Sequence, residues 1–238
     1  GVGHYTLNSV TSGISNTIIG NYAGDLITTG NNNVAVGYKS LSAISTQSNN
    51  VAIGRTAMQT ALAENCVAIG NDCLENTTGS DNTAVGAFAG RAVTSGISNV
   101  LIGYRAGYDV AGGSYNTLVG RQSGGGQENT YIGYHAGRLT TGGNEGTFIG
   151  SAAGYSNASS DNTAVGRRAL YLNTAAYNTG IGHQAGYGIT TGNFNTFVGE
   201  RTGASIGTGA GNVGVGRRSL FQATSSNNTC VGMQAGYG

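Results

Sequence analysis

Apolar positions along this chain come in short triplets rather than long runs. The segment Asn-[Thr/Val]-x-[Ile/Val]-Gly returns throughout, as in Asn33-Val34-Ala35-Val36-Gly37 and Asn50-Val51-Ala52-Ile53-Gly54. Fourteen copies align, ending at Gly20, Gly37, Gly54, Gly70, Gly86, Gly103, Gly120, Gly133, Gly150, Gly166, Gly182, Gly199, Gly216 and Gly232. Their spacing is 16 or 17 residues, except for 13 between Gly120 and Gly133. A period this short and regular predicts a solenoid in which each copy is one coil. Helical repeats pair two helices over roughly 30 residues or more, so these coils must be strand and turn. The expected fold is all-β: a parallel β-solenoid, or β-roll, of about 14 coils of 16–17 residues, forming a single domain over residues 1–238. The shortened stretch Gly124–Glu128 predicts a notch in its outline.

Each column of the aligned repeats carries its own physical demand. The residue before the Gly is always Ile or Val, and the residue two before that is always Thr or Val. Such β-branched residues at i and i+2 share one face of a strand. This face is expected to pack inside its own coil. The Gly then turns the chain, and a small residue follows three positions later. The next position is Gly, or a larger residue at Leu41, Met58, Leu74, Leu170 and Leu220. A Thr/Ser/Gly-rich arm closes the coil.

The strand's middle column points the other way and carries no charge. Its largest members are Leu101, Leu118, Tyr131, Phe148 and Phe197. A strand apolar on both faces is covered on both faces, so these five residues are expected to be buried between subunits. Gly180 and Gly214, one coil either side of Phe197, leave room for its ring.

The position before the strand is Asn in twelve copies: Asn16, Asn33, Asn50, Asn82, Asn99, Asn116, Asn129, Asn162, Asn178, Asn195, Asn212 and Asn228. Cys66 and Gly146 replace it in the other two. Stacked amides can cap their own turn and bond the coils above and below, which predicts a structural ladder.

Composition narrows the class. Gly is 44 of 238 residues, while Pro and Trp are absent, a pairing that fits neither collagen nor a linker. Only 9% of residues are charged, so charge-driven disorder is excluded. A net charge of +1 offers no field for nucleic acid or an anionic membrane. No apolar run is long enough for a bilayer-spanning helix, so no membrane insertion is expected. The chain opens in mid-repeat and is read as a piece of a longer fibre protein.

Candidate chemistry is sparse. GIGHQA (180–185) and GVGRRS (214–219) approach a dinucleotide fingerprint, but they are repeat columns with no βαβ context. The three His residues are scattered, Asp recurs in no column, and no carboxylate cluster suggests glycan cleavage. The expectation is therefore no catalytic residue, no cofactor and no metal. Cys66 and Cys73 share one coil and could form a disulfide. Basic residues gather one or two positions after the Gly, at Lys39, Arg55, Arg105, Arg121, Arg167, Arg168, Arg201, Arg217 and Arg218. They predict a basic edge that is either solvated and paired or binds anions; Arg105, Arg121, Arg167, Arg168, Arg201, Arg217 and Arg218 are its candidates. Thr28, Thr78, Thr94, Thr141, Thr174, Thr190 and Thr224 share another column, interrupted by Ser45, Leu62, Ala111, Ala158 and Gly207. An ice-like lattice binder would need fewer breaks there.

The stretches NNVAVGYKS, NNVAIGRTA and CVAIGNDC resemble the NSVAIGxxS motif of YadA-like trimeric autotransporter adhesin heads. The N-T-A-V-G-x-x-A-G copies are similar to Gly-rich repeats of phage tail-fibre proteins, and together the resemblance covers nearly the whole chain. It implies a left-handed β-roll assembled as a homotrimer. It further implies a structural or adhesive role at a cell surface, outside the cell or on a virion, with a glycan or receptor as the outside partner. The coil here is longer than in those heads, and stalk heptads are absent, which favours the fibre branch.

Overall fold

A computed structural model describes residues 1–108, 110–140, 143–222 and 224–237. The chain forms two compact units, Gly1–Gln122 and Ser123–Gly238, and the boundary falls within the shortened repeat after Gly120. Each repeat contributes one three-residue strand. The first unit holds β1 (Thr17–Ile19), β2 (Val34–Val36), β3 (Val51–Ile53), β4 (Val67–Ile69), β5 (Thr83–Val85), β6 (Val100–Ile102) and β7 (Thr117–Val119). The second holds β8 (Thr130–Ile132), β9 (Thr147–Ile149), β10 (Thr163–Val165), β11 (Thr179–Ile181), β12 (Thr196–Val198), β13 (Val213–Val215) and β14 (Thr229–Val231). All fourteen strands are parallel, and there is no helix among the described residues. Within each unit, pairing is in strict register: Thr147 lies opposite Thr163, Phe148 opposite Ala164, and Ile149 opposite Val165. The chain is thus an all-β parallel β-solenoid.

The strand stops after three residues because of the Gly that follows. Gly37 has φ +134°, and a Cβ there would lie 2.4 Å from the carbonyl oxygen of Gly54 in the next coil. Both the dihedral and the close backbone stacking demand glycine. The turn beyond it visits left-handed conformations twice in each coil except the shortened one after Gly120, where only Gln122 does. In the second coil these are Lys39 (φ 55°) and Leu41 (φ 49°). The peptide planes therefore alternate, and turn N–H groups bond in both directions along the stack. Lys39 N–H donates back to Asn21 O at 3.0 Å, and Leu41 N–H donates forward to Ala57 O at 3.1 Å.

The core reverses the expected assignment of faces. The middle strand residue, not its neighbours, is buried inside its own coil. Leu101, Leu118, Tyr131, Phe148 and Phe197 are all at 0% exposure within a single chain. They cannot form the interchain face assigned to them from the sequence. The flanking positions point outward: Ile149 is 38% exposed and Ile181 40%. A three-residue strand has one residue on one face and two on the other, and here the single residue goes in.

In most coils the core slot is filled from one of two places. Where the middle residue is large, the position after the small residue is Gly, as in Tyr131 with Gly137, Phe148 with Gly154 and Phe197 with Gly203. A Cβ on Gly203 would lie 2.6 Å from Cε2 and Cζ of Phe197. Where the middle residue is Ala35, Ala52, Ala68, Ala164 or Gly214, that position is Leu41, Met58, Leu74, Leu170 or Leu220, each buried. The closing arm adds a further buried column that the sequence reading passed over, including Ile27, Ile44, Val93, Ile189 and Ile206.

Candidate functional site

Three features are the candidates for a functional role: the outward strand face, the buried Asn ladder beside it, and the turns that follow the Gly. The strand face consists of two ranks, Thr or Val at the first strand position and Ile or Val at the third. No charged residue interrupts either rank in any of the fourteen strands. Successive strands stand about 4.8 Å apart, as in any hydrogen-bonded ladder. The result is a regular surface of β-branched side chains along each unit.

The ladder runs along the start of the strands. Along each unit, Asn Oδ1 accepts the backbone N–H of the same position one coil on, at 2.8–3.0 Å. The linked positions are Asn16 to Asn33, Asn33 to Asn50, Asn50 to Cys66, Asn82 to Asn99 and Asn99 to Asn116 in the first unit. In the second they are Asn129 to Gly146, Asn162 to Asn178, and onward through Asn195, Asn212 and Asn228. The Nδ2 group donates to a carbonyl of the next closing arm, as from Asn195 to Gly209 O at 2.9 Å. The two missing amides have local reasons. At Cys66 the thiol stands 3.7 Å from Gly79 O, in place of the amide donor. At Gly146 a Cβ would lie 3.2 Å from both Phe148 Cζ and Tyr131 Cε1, so the two large rings crowd out a side chain.

Those rings stack with centroids 4.5 Å apart and planes at 7°. Burial pushes the Tyr131 phenol well above its ordinary range. Its hydroxyl faces the neighbouring buried Thr140 Oγ1, a contact that offsets part of the rise, and neither oxygen makes a well-formed hydrogen bond among the described residues.

The Thr column of the closing arm is occupied by the fold. Thr28, Thr78, Thr94, Thr174 and Thr190 each donate their hydroxyl to the backbone carbonyl one coil on, at 2.8–3.2 Å. Thr141 lies outside the described residues.

The basic edge is largely engaged with its neighbours. Arg55 meets Asp72 at 3.9 Å and Arg217 meets Glu200 at 3.4 Å, so the two acids sharing these columns pair with Arg. Arg105 lies 5.0–5.6 Å from the ring centroids of Tyr108, Tyr104 and Phe88. Arg121 sits over Tyr104, Arg168 over Tyr171 and Arg218 over Phe221. Arg201 Nε donates to Gln184 Oε1 at 2.9 Å, and Arg167 approaches His183 at 3.4 Å. Lys39 Nζ lies over the Tyr38 ring.

A group of acids escaped the sequence reading. Glu128, Glu145 and Asp161 occupy one column on successive coils, just before the ladder. A hydrogen bond to Asp161, then the charges of Asp161 and Glu128, raise the Glu145 carboxyl above its ordinary value. No group of three or more His, Cys, Asp and Glu residues is placed to hold a metal ion among the described residues.

Cys66 and Cys73 are separate, buried thiols, not the disulfide entertained from their spacing. Each points at a carbonyl of the next coil, Cys73 Sγ lying 3.3 Å from Ala84 O. Burial pushes the Cys73 thiol up to about 12, and raises that of Cys66 as well. Both are poor nucleophiles at neutral pH.

No protein-family model, curated protein or solved structure matches the chain.

Proposed function

We propose that this chain is a non-catalytic segment of an extracellular or virion fibre. Its copies pack through the outward strand face, three around a common axis, as left-handed rolls. The turns after the Gly are left to meet the surroundings as an attachment surface. The observation that carries this reading is the uninterrupted, charge-free Thr/Val and Ile/Val face. Soluble monomers rarely expose apolar patches larger than a few hundred Å², and the Ile/Val rank, flanked by Thr and Val, runs as such a stripe along each unit. Identical coils give every copy the same stripe, so cyclic packing satisfies all of them together. The engaged state of the Arg edge makes it a weaker candidate for polyanion binding.

Light scattering on the unmutated segment tests the assembly. The expected mass is about three times 23.8 kDa, falling to the single-chain value on Ile149→Lys with Ile181→Lys. A clean mass of 23.8 kDa for the unmutated chain overturns it.

The same regularity favours a second reading. Two unbroken ranks of β-branched residues suit an ordered lattice such as ice better than the interrupted Thr column does. A monomer that shows thermal hysteresis, abolished by Ile149→Lys, would select this reading over the fibre.

A further inference from the structure

The turns of the first three coils enclose an open groove of about 540 Å³ lined by Tyr22, Asp25, Tyr38, Lys39, Gln59 and Thr60. This volume falls within the range of small-ligand sites, about 300–1,000 Å³. All of these residues follow their repeat Gly, so the groove is built from turns, not from the strand face.

Its lining combines two kinds of surface. Tyr22 and Tyr38 meet edge to face, with centroids 6.2 Å apart and planes at 86°. Tyr22 is also braced by stacking on Tyr5 at 5.2 Å. The two rings make a fixed, concave aromatic corner with 37% and 42% of their surfaces exposed. Around it stand planar and charged hydrogen-bonding groups. The Asp25 carboxylate lines the groove; its Oδ1 is turned inward, buried without a partner, which leaves its other oxygen to face a ligand. The Gln59 side chain joins it on the groove wall, while the Gln59 backbone carbonyl is taken by Ser42 Oγ and Ala43 N–H. Lys39 supplies donors beside the Tyr38 ring.

We infer that this groove binds a neutral saccharide unit. A pyranose has an apolar C–H face suited to an aromatic ring and a rim of hydroxyls that both donate and accept. Asp25 accepts from such hydroxyls, Lys39 donates to them, and the Gln59 amide does both. One carboxylate and one ammonium cancel locally, which disfavours a polyanion, and although Leu26 adds apolar surface beside the two rings, the groove is open and offers a lipid chain no enclosed slot. The inference gives a ligand class to the outward turns of the fibre reading, yet it rests on the groove alone and holds for a monomer as well.

The test is ligand-observed saturation-transfer NMR on the full chain. The probes are maltose, lactose, mannobiose and di-N-acetylchitobiose, with heparin disaccharide as the anionic control. At least one neutral sugar is expected to bind with a Kd near 1 mM, a normal affinity for a single shallow site. Tyr38→Ala and Gln59→Ala should each weaken it about tenfold or more, Tyr38→Phe should retain it, and Tyr171→Ala, on a distant repeat, should not affect it. Circular dichroism verifies that each variant is folded. Silence from every neutral sugar, binding of the anionic control alone, or transfer unchanged in both folded Ala variants would overturn the inference. Light scattering on the same samples reports the assembly separately, so failure of one proposal is distinguishable from failure of the other.

Discussion

The ring of Phe148 occupies the space over Gly154: a Cβ on that glycine would lie 2.4 Å from Cδ2 of the ring. One coil on, the corresponding pair is Ala164 with Leu170, both fully buried. The core accepts its large side chain from either the strand or the turn, but the two places share one volume. Phe148→Ala alone should cost about 3–5 kcal/mol by leaving a cavity. Gly154→Leu alone should be destabilising through overpacking, by about 1–3 kcal/mol. The double variant Phe148→Ala/Gly154→Leu recreates the neighbouring pair. It should recover much of the loss, since Leu170 adopts φ 46° at that position. A denaturation double-mutant cycle should give a favourable coupling of about 1–3 kcal/mol; simple additivity would mean that the two positions do not share a slot.

The ladder makes a sharper, local prediction. Asn195→Ala leaves the N–H of Asn212 and the carbonyl of Gly209 without the partners they have at 2.9 Å. Orphaned buried groups cost about 1–3 kcal/mol. Solenoids open locally, so the Asn212 amide should exchange with deuterium roughly tenfold or more faster, while amides several coils away barely change. Unaltered exchange at Asn212 would remove the ladder's structural role.

Tyr131 should be improvable. Its buried phenol makes no well-formed hydrogen bond among the described residues and has only the Thr140 hydroxyl beside it, and removing only the oxygen keeps the stack on Phe148. Tyr131→Phe should be neutral or stabilise by about 1 kcal/mol, read from the urea midpoint. A loss of stability would reveal a hydrogen bond to that hydroxyl.

The acidic column gives an unusual pH dependence. Because the folded state raises the Glu145 carboxyl, it binds more protons than the unfolded chain just above the ordinary Glu range. Stability from this group is therefore greatest at pH values below the unfolded pKa and is lost as pH rises through the raised, folded one. Glu145→Gln should flatten that local slope and slightly stabilise the protein at neutral pH. Urea midpoints at pH 4, 5, 6 and 7 check the sign; a slope unchanged in the variant would contradict it.

The period, the strand positions and the ladder could be read from the chain because each repeats in nearly every copy. Which face turned inward could not be read from alternation, since both faces are apolar and the strand has only three residues. The deciding signal lay elsewhere, in paired variation. The middle column ranges in size from Gly214 to Tyr131, while in most coils the position after the small residue switches between Gly and Leu or Met to keep the slot filled; where both are small, at Ala84 with Gly90 and Gly180 with Gly186, Leu74, Leu101 and Leu170 of neighbouring coils reach in. The invariant Ile/Val column needs no such compensation because it faces outward. Glu128, Glu145 and Asp161 were hidden for a related reason: their column is mostly Asn and Ser in the first unit, and its acids appear only when neighbouring repeats are overlaid. The groove at Tyr22 and Tyr38 draws on three coils and has no motif within any one of them.

The outward strand face is tested most directly by a spin label placed on it. Ile149→Cys in a Cys230→Ser background, labelled with a nitroxide, puts the probe within the second unit's Ile/Val rank. If copies pack through this face, electron paramagnetic resonance should show an immobilised label with strong spin–spin broadening, relieved when labelled chains are diluted by refolding with excess unlabelled chain. A sharp, mobile spectrum that does not change on dilution would contradict the assembly and leave the strand face open to solvent.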